Sequence, residues 1–394
     1  MIETKFKQRE LCRIPEDWDI GTFADFLITF SAGATPYRGI PDNFVGTIPW
    51  ISSGELNYCE IENTREHISS DAQKNTHLTL HKPGTFLIAI TGLEAAGTRG
   101  RCAFVKTPAT TNQSCLAINS TDKMTVKYLF WFYRQWSDFL AFNFSQGSKQ
   151  QSFTAEIVKR LPLYAPKYKE QEKIAEALSD VDKLIRELDT LIEKKRAVMQ
   201  GTMQELLTAH RRLPGFVHPW RNTLVEKCCK ITTGESNTRD QIESGIYPFY
   251  IRSATVMRSN SYIFDCEGII TIGDGQIGKV FHYVNGKFDL HQRCYLMYDF
   301  DDIDVKFFYF LFSFFFYNRV IALSAKATVD SVRRNMIAKM KINIPSTMQE
   351  QKAIANILSD MNDGIEAIEA KRDKYIAVRQ GMMQQLLTGK IRLI

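Results

Sequence analysis

EQEKIAEALSDVDKLIRELDTLIEKKRAVMQGTMQELLTAHRRL, running from Glu170 to Leu213, aligns without a gap to EQKAIANILSDMNDGIEAIEAKRDKYIAVRQGMMQQLLTGKIRL, from Glu350 to Leu393. About 20 of 44 positions are identical, so the chain carries an internal repeat. Apolar residues recur at alternating steps of four and three: Ile174, Leu178, Val181, Ile185 and Leu188 in the first copy, Ile354, Leu358, Met361, Ile365 and Ile368 in the second. That spacing is a heptad seam. Neither copy contains proline, and both are rich in Glu, Lys, Gln, Leu and Ala, which predicts one long helix each. About 38 residues at 1.5 Å per residue make a rod of roughly 57 Å.

The seam has breaks, and they differ between the copies. Lys195 and Thr202 interrupt the first, and Arg372 and Arg379 the second, with Met199 standing where the second copy has Arg379. Such breaks suit packing against a non-identical helix, and surface drift explains them equally well. Gly201 and Gly381 occupy matching mid-helix positions, where glycine costs about 1 kcal/mol relative to alanine, so a close helix contact or a kink is expected there.

The repeat continues more weakly outside the helices. Arg13-Ile14-Pro15 leading to Trp18 matches Arg212-Leu213-Pro214 leading to Trp220, Ile48-Pro49-Trp50 matches Tyr247-Pro248-Phe249, and Asn112-Gln113-Ser114-Cys115 matches His291-Gln292-Arg293-Cys294. An aromatic helix follows in each half, from Tyr128 to Trp136 and from Phe307 to Tyr317. The pattern is globule, rod, globule, rod. Paired most simply, the rods form an antiparallel coiled coil with a globule at each end, related by a pseudo-twofold axis like the local dyad of duplex DNA.

Composition fits a folded, soluble chain. Hydrophobic content is 44% and charged content 24%, and a net charge of +6 is only a weak hint of a polyanionic partner. The cysteines form no CxxC pair, so no zinc ribbon or disulfide framework is indicated and a reducing cytoplasm is expected. The N-terminal segment lacks the apolar stretch of a secretory signal. The most apolar run, FFYFLFSFFFY, falls short of the ~20 residues a membrane span needs, so a buried helix and no membrane partner are expected.

With these motifs in view, the chain resembles the specificity subunits of Type I restriction-modification systems. The resemblance rests on the paired EQ-x-x-IA-x-x-LSD helix starts at Glu170 and Glu350, the QG-x-MQ-x-LLT helix ends at Gln200 and Gln380, and the RLPGF-x-x-x-W lead-in to the second globule. It implies an α+β fold: two pseudo-repeated mixed α/β target-recognition domains, 1–167 and 211–347, separated by long antiparallel coiled-coil helices, 168–210 and 348–394. It further implies a non-catalytic subunit reading a bipartite, asymmetric double-stranded DNA site. The partners implied are two methyltransferase subunits, which would bind S-adenosylmethionine and methylate adenine, and a separate restriction subunit; no cofactor is expected in this chain.

Recognition chemistry is argued from residue type. Arginine forks pair with guanine, Asn and Gln amides with adenine, and Ser, Thr and Lys hold phosphates. In the first half the loop candidates are Thr35, Tyr37, Arg38, Arg99, Arg101, Asn112, Gln113, Ser148, Lys149 and Gln150. In the second they are Asn237, Thr238, Arg239, Arg252, Gln276, Lys279, His291, Gln292, Arg293, Arg333 and Arg334. For any one of these, the plain alternative is a solvated surface side chain. Gln113 and Gln292 recur at equivalent places, which a structural hydrogen bond to a turn explains as well as base contact does.

Other motifs point away from catalysis. Gly273 to Gly278 matches G-x-G-x-x-G, but the β-prone Lys279 to Val284 follows where a dinucleotide site needs a helix, so a hairpin turn is expected. Glu193-Lys194-Lys195 lies inside a heptad helix, and His67, His77 and His81 match no metal-ligand pattern. The competing functions are a coiled-coil scaffold or adaptor with peptide-binding globules, and a self-sufficient DNA methyltransferase.

Overall fold

The computed structural model describes residues 5–95, 97–147, 149–324 and 331–394. The chain divides into two compact units, Met1–Glu187 with Arg372–Ile394, and Leu188–Lys371. Each long helix, Tyr168–Leu207 and Met348–Leu386, gives one part to each unit.

In the first unit a sheet runs in the order Leu27–Ala32, Cys115–Ser120, Phe86–Ala89, Cys102–Val105, Glu60–Ile61. Its first three pairings are antiparallel and the last is parallel. Phe86, Ile88, Cys102, Leu116 and Ile118 pack on the aromatic helix Val126–Phe144, while Leu87, Ala89, Ala103, Val105 and Ala117 face a second cluster with Ile51, Leu56 and Ile61. Burial on both faces explains why FLIA and CLAI read as unbroken apolar runs rather than alternating ones.

The second unit repeats the plan. Its sheet runs Lys230–Thr233, Cys294–Tyr298, Phe264–Ile272, Phe281–Leu290, Tyr247–Tyr250, Met257–Ser259. Ile269 and Met297 face the aromatic helix Val305–Ser324, and Ile270, Ile272 and Leu296 face away from it. That helix is longer than its apolar run suggested and is long and apolar enough to span a bilayer by composition alone. Here Phe307, Phe308, Phe312 and Phe316 are wholly buried against the sheet. The G-x-G-x-x-G segment is the hairpin between Phe264–Ile272 and Phe281–Leu290, with Gly275 at φ +81° and Gly278 at φ +68°.

Within each unit the long helices run antiparallel. Ile174, Ala175 and Leu178 share a core with Met383, Leu386 and Leu387, and Ile354, Ala355 and Leu358 share one with Leu206 and Leu207. The start of each seam therefore buries into its own aromatic core as well as against the opposite helix. Ile185, Leu188 and Ile365 are also buried, whereas Val181, Met361 and Ile368 are half-buried. The glycine expectation fails: a Cβ at Gly201 or Gly381 would meet nothing within 4 Å, and both helices run through unbroken.

The EQ pairs that begin each helix act as a clasp. Glu170 accepts Arg392 Nε and Nη2 at 2.8 Å each and the Leu393 N–H at 3.2 Å. Glu350, 1% exposed, accepts Arg212 Nε at 2.6 Å, its Nη2 at 2.8 Å, and Trp220 Nε1 at 3.2 Å. The following glutamines bridge helix starts: Gln171 accepts the Thr125 N–H at 2.9 Å, and Gln351 the Asp304 N–H at 2.8 Å. A buried carboxylate needs a charged partner, and a helix N-terminus leaves N–H groups unpaired. One dipeptide satisfies both demands in each copy.

Candidate nucleic-acid interface

In each unit, equivalent loops converge on one edge of the sheet. The first loop leaves the opening strand at a glycine that packs on bare backbone. A Cβ on Gly33 would lie 1.9 Å from Thr111 O, and one on Gly234 1.9 Å from Leu290 O, so only glycine lets these loops cross the neighbouring strand. The turn before the Cys115–Ser120 and Cys294–Tyr298 strands comes next. The loop carrying Thr91 bridges to Ser152 in the first unit, and Asp274 bridges to Ser331 at the matching place in the second.

The shared turn uses one device with two side chains. Asn112 Oδ1 accepts the Ser114 N–H at 3.0 Å, and His291 Nδ1 accepts the Arg293 N–H at 3.0 Å. Burial pushes the His291 imidazole below its ordinary pKa, which favours the neutral form this bond requires. The recurring glutamines each reach the first loop: Thr35 Oγ1 donates to Gln113 Oε1 at 2.5 Å, and Gln292 Nε2 donates to Asn237 Oδ1 at 2.6 Å. Ser236 Oγ donates to buried Asp289 at 2.7 Å.

The arginines divide by how their forks are occupied. Arg38 is bidentate to Glu66 at 2.9 and 2.8 Å, lies 4.6 Å above the Phe44 ring, and holds the Glu66 carboxyl below its usual range. Arg99 donates to Leu93 O, Glu94 O and Asp138 and stacks on Phe142, so it braces its own loop. Arg101 donates to Gly97 O and Gly54 O. In the second unit, Arg252 and Arg293 both donate to Asp274, at 3.2 and 2.8 Å. Burial pulls the Asp274 carboxyl up, but the hydrogen bonds from Arg293 and Arg252 outweigh it and hold the group below the usual range.

Tyr37, Lys149, Gln150, Thr238, Arg239, Gln276, Lys279, Arg333 and Arg334 are exposed. Lys279 Nζ lies 5.5 Å over Tyr317. Ser148 lies outside the described residues. The organising acids, Glu66 and Asp274, were not singled out from sequence. Asp274 sat inside a glycine-rich hairpin tip, and nothing local in the sequence announces two arginines brought to it from elsewhere in the chain.

Paired α/β units with matching loops, joined by long helices, define a protein built by internal duplication. The sequence profile described as "Type I restriction modification DNA specificity domain" matches residues 15–195 and 223–376, and the chain belongs to that family. It is 31% identical over 188 residues to the "Type I restriction enzyme MjaIX specificity subunit" of Methanocaldococcus jannaschii, covering 46% of this chain and 42% of that one. It is 22% identical to the MjaVIII specificity subunit of the same organism, covering 99% of this chain and 97% of the other. Its fold is similar to the crystal structure of the Type-I restriction-modification system S subunit from M. genitalium, with TM-score 0.69, 14% identity, and coverage of 94% and 96%. A chain from a study of complex assembly and conformational transition of the type I R-M system gives TM-score 0.53 at 13% identity, covering 96% of this chain and 99% of that one.

Proposed function

We propose that this chain is the non-catalytic, DNA-reading specificity subunit of a Type I restriction-modification complex. Each unit reads one half of a bipartite, asymmetric duplex site, and partner subunits perform adenine methylation and cleavage there. The partners are two methyltransferase subunits, in which S-adenosylmethionine is bound, and a restriction subunit. One observation carries the reading: matching loops converge on one sheet edge in both units yet present different side chains. A duplicated scaffold with diverged loops is what two unlike half-sites require, because base edges are discriminated by side-chain chemistry while the scaffold only positions it.

The test is to sequence the methylome of cells expressing this chain with a cognate methyltransferase. A split motif with an unread spacer is expected. Replacing Met1 to Leu161 with the equivalent domain of a relative should change one half-site and leave the other intact. Methylation by the purified chain alone would instead establish a self-sufficient methyltransferase, and failure to bind any duplex at low salt would favour a scaffold.

A further inference from the structure

The second unit's loop edge presents two arginines in an arrangement not matched by the first-unit candidates. Arg252 follows the strand Tyr247–Tyr250, Asp274 lies in the glycine-rich hairpin, and Arg293 lies in the turn before Cys294–Tyr298. Both arginines contact the carboxylate through Nη1 alone, at 3.2 and 2.8 Å. Among the described residues, Nε and Nη2 of each make no hydrogen bond. The Arg252 and Arg293 side chains are 42% and 63% exposed while Asp274 is 17% exposed, so the anchor is sheltered and the arginines it holds are open to solvent. A cavity of about 430 Å³ lies elsewhere in the molecule, but the one beside Asp274, about 260 Å³, is lined by Gly273, Gln292, Arg293 and Ser331 of this same edge.

A guanidinium that reads a base needs a free pair of parallel N–H donors, and holding it still before binding lowers the entropy lost on contact. Arg38 fails the first condition because Glu66 occupies both terminal nitrogens, Arg99 because loop carbonyls and Asp138 take its fork, and Arg101 because Gly97 O and Gly54 O take its Nε and Nη1. Arg239, Arg333 and Arg334 are exposed, and among the described residues no carboxylate pairs with them. Arg252 and Arg293 meet both conditions. The local charge, two guanidiniums against one carboxylate, is a net positive one, which suits an acceptor-rich partner.

We infer that Asp274 is a positioning residue that presents Arg252 and Arg293 to guanine O6 and N7 edges, so that the second unit's half-site contains guanine. The inference rests on the DNA-reading function proposed above. A fork lying against a phosphate would have the same local chemistry, and the two roles separate experimentally. Base readout is sequence-specific, whereas a phosphate contact weakens binding evenly across sequences and lowers the salt slope by about 1.

The experiment uses the complete complex with wild-type chain, Arg252→Lys, Arg293→Lys, Arg293→Ala, Asp274→Asn and Asp274→Glu, reading methylated motifs and salt-dependent duplex binding. Lysine keeps the charge but loses the fork. Each lysine variant is expected to relax discrimination at a guanine in the second unit's half-site by roughly 5- to 100-fold, with the other half-site and the salt slope unchanged. Asp274→Asn should relax the same positions, and Asp274→Glu should restore them in part. Wild-type motifs preserved in both lysine variants would overturn the inference, as would uniform weakening with a reduced slope in Arg293→Ala. A wild-type complex that yields no motif at all would instead defeat the DNA-reading function itself.

Discussion

The two units keep one set of buried charges and discard another. The clasp's arginine–glutamate pair is duplicated, Arg392 on Glu170 in the first unit and Arg212 on Glu350 in the second, with Asp17 added to Arg392 and Trp220 to Glu350. Further along the same helix as Glu170, the first unit holds Asp182, 8% exposed at its side chain, in contact with Arg134, Arg186 and Arg379. The positions matching Arg134, Asp182, Arg186 and Arg379 are Ser313, Asn362, Glu366 and Met199 in the second unit; Asn362 donates to Glu366 there, and Met199 packs against the apolar core. Arg379, which breaks the heptad seam, is therefore not a surface accident: its charge is spent on a carboxylate from the facing helix. The contrast teaches that a buried ion cluster is replaceable as a set but not singly, because each member exists to neutralise the others.

The largest expected effect follows directly. Asp182→Ala strands Arg134 and Arg379 together and should cost about 3–5 kcal/mol, measured by urea unfolding. Transplanting the uncharged set, Arg134→Ser with Asp182→Asn and Arg379→Met, should cost far less than the single change. A triple variant as unstable as Asp182→Ala would break the comparison.

Helix ends sharpen it further. Both long helices stop at a left-handed residue, Gly389 at φ +68° and Ala209 at φ +58°, and the chain returns through Ile391 N–H to Gln385 O and Arg211 N–H to Glu205 O. This is the αL helix stop in each copy, made by glycine once and alanine once. A Cβ on Gly389 would lie 2.4 Å from Pro15 Cγ, so Gly389→Ala should destabilise by about 2–3 kcal/mol. Ala209→Gly should stabilise by up to about 1 kcal/mol by relieving strain. Equal and opposite melting shifts would show that the Pro15 contact matters little.

Gly201→Ala and Gly381→Ala should each stabilise by about 1 kcal/mol or slightly less, since a Cβ has open space at both sites. Destabilisation at either in a thermal melt would reveal a contact there.

The smallest effect is with pH. Burial holds His81 in the first unit and His282 in the second below their ordinary pKa. The unfolded chain then takes up more protons as pH falls below about 6.5, so stability should decline from there downwards. Asp17, lowered by its hydrogen bond from Arg392, loses its contribution only in the more acidic carboxylate range. A urea midpoint unchanged between pH 7.5 and 5.5 would contradict the histidine account.

The duplication, the long helices and the aromatic core helices were legible because a gapless repeat, a heptad spacing and an apolar run are local properties of the sequence. The hairpin nature of Gly273 to Gly278 was legible for the same reason: β-prone residues flank it. The recurrence of Gln113 and Gln292 in the candidate site was legible too, and the structure gives each a hydrogen bond to the first loop, the structural role the recurrence also allowed.

What the sequence could not disclose is which charges meet. Arg134, Asp182 and Arg379 are separated by 48 residues on one side and 197 on the other, and Arg252, Asp274 and Arg293 come from three different segments. Composition and periodicity determined the repeat, its helices and the faces that must be buried, because burial follows from residue type at regular spacing. Only the tertiary structure decided which arginines are spent on internal carboxylates and which keep a donor edge open, because a hydrogen bond depends on positions a few ångströms apart that chain order does not encode.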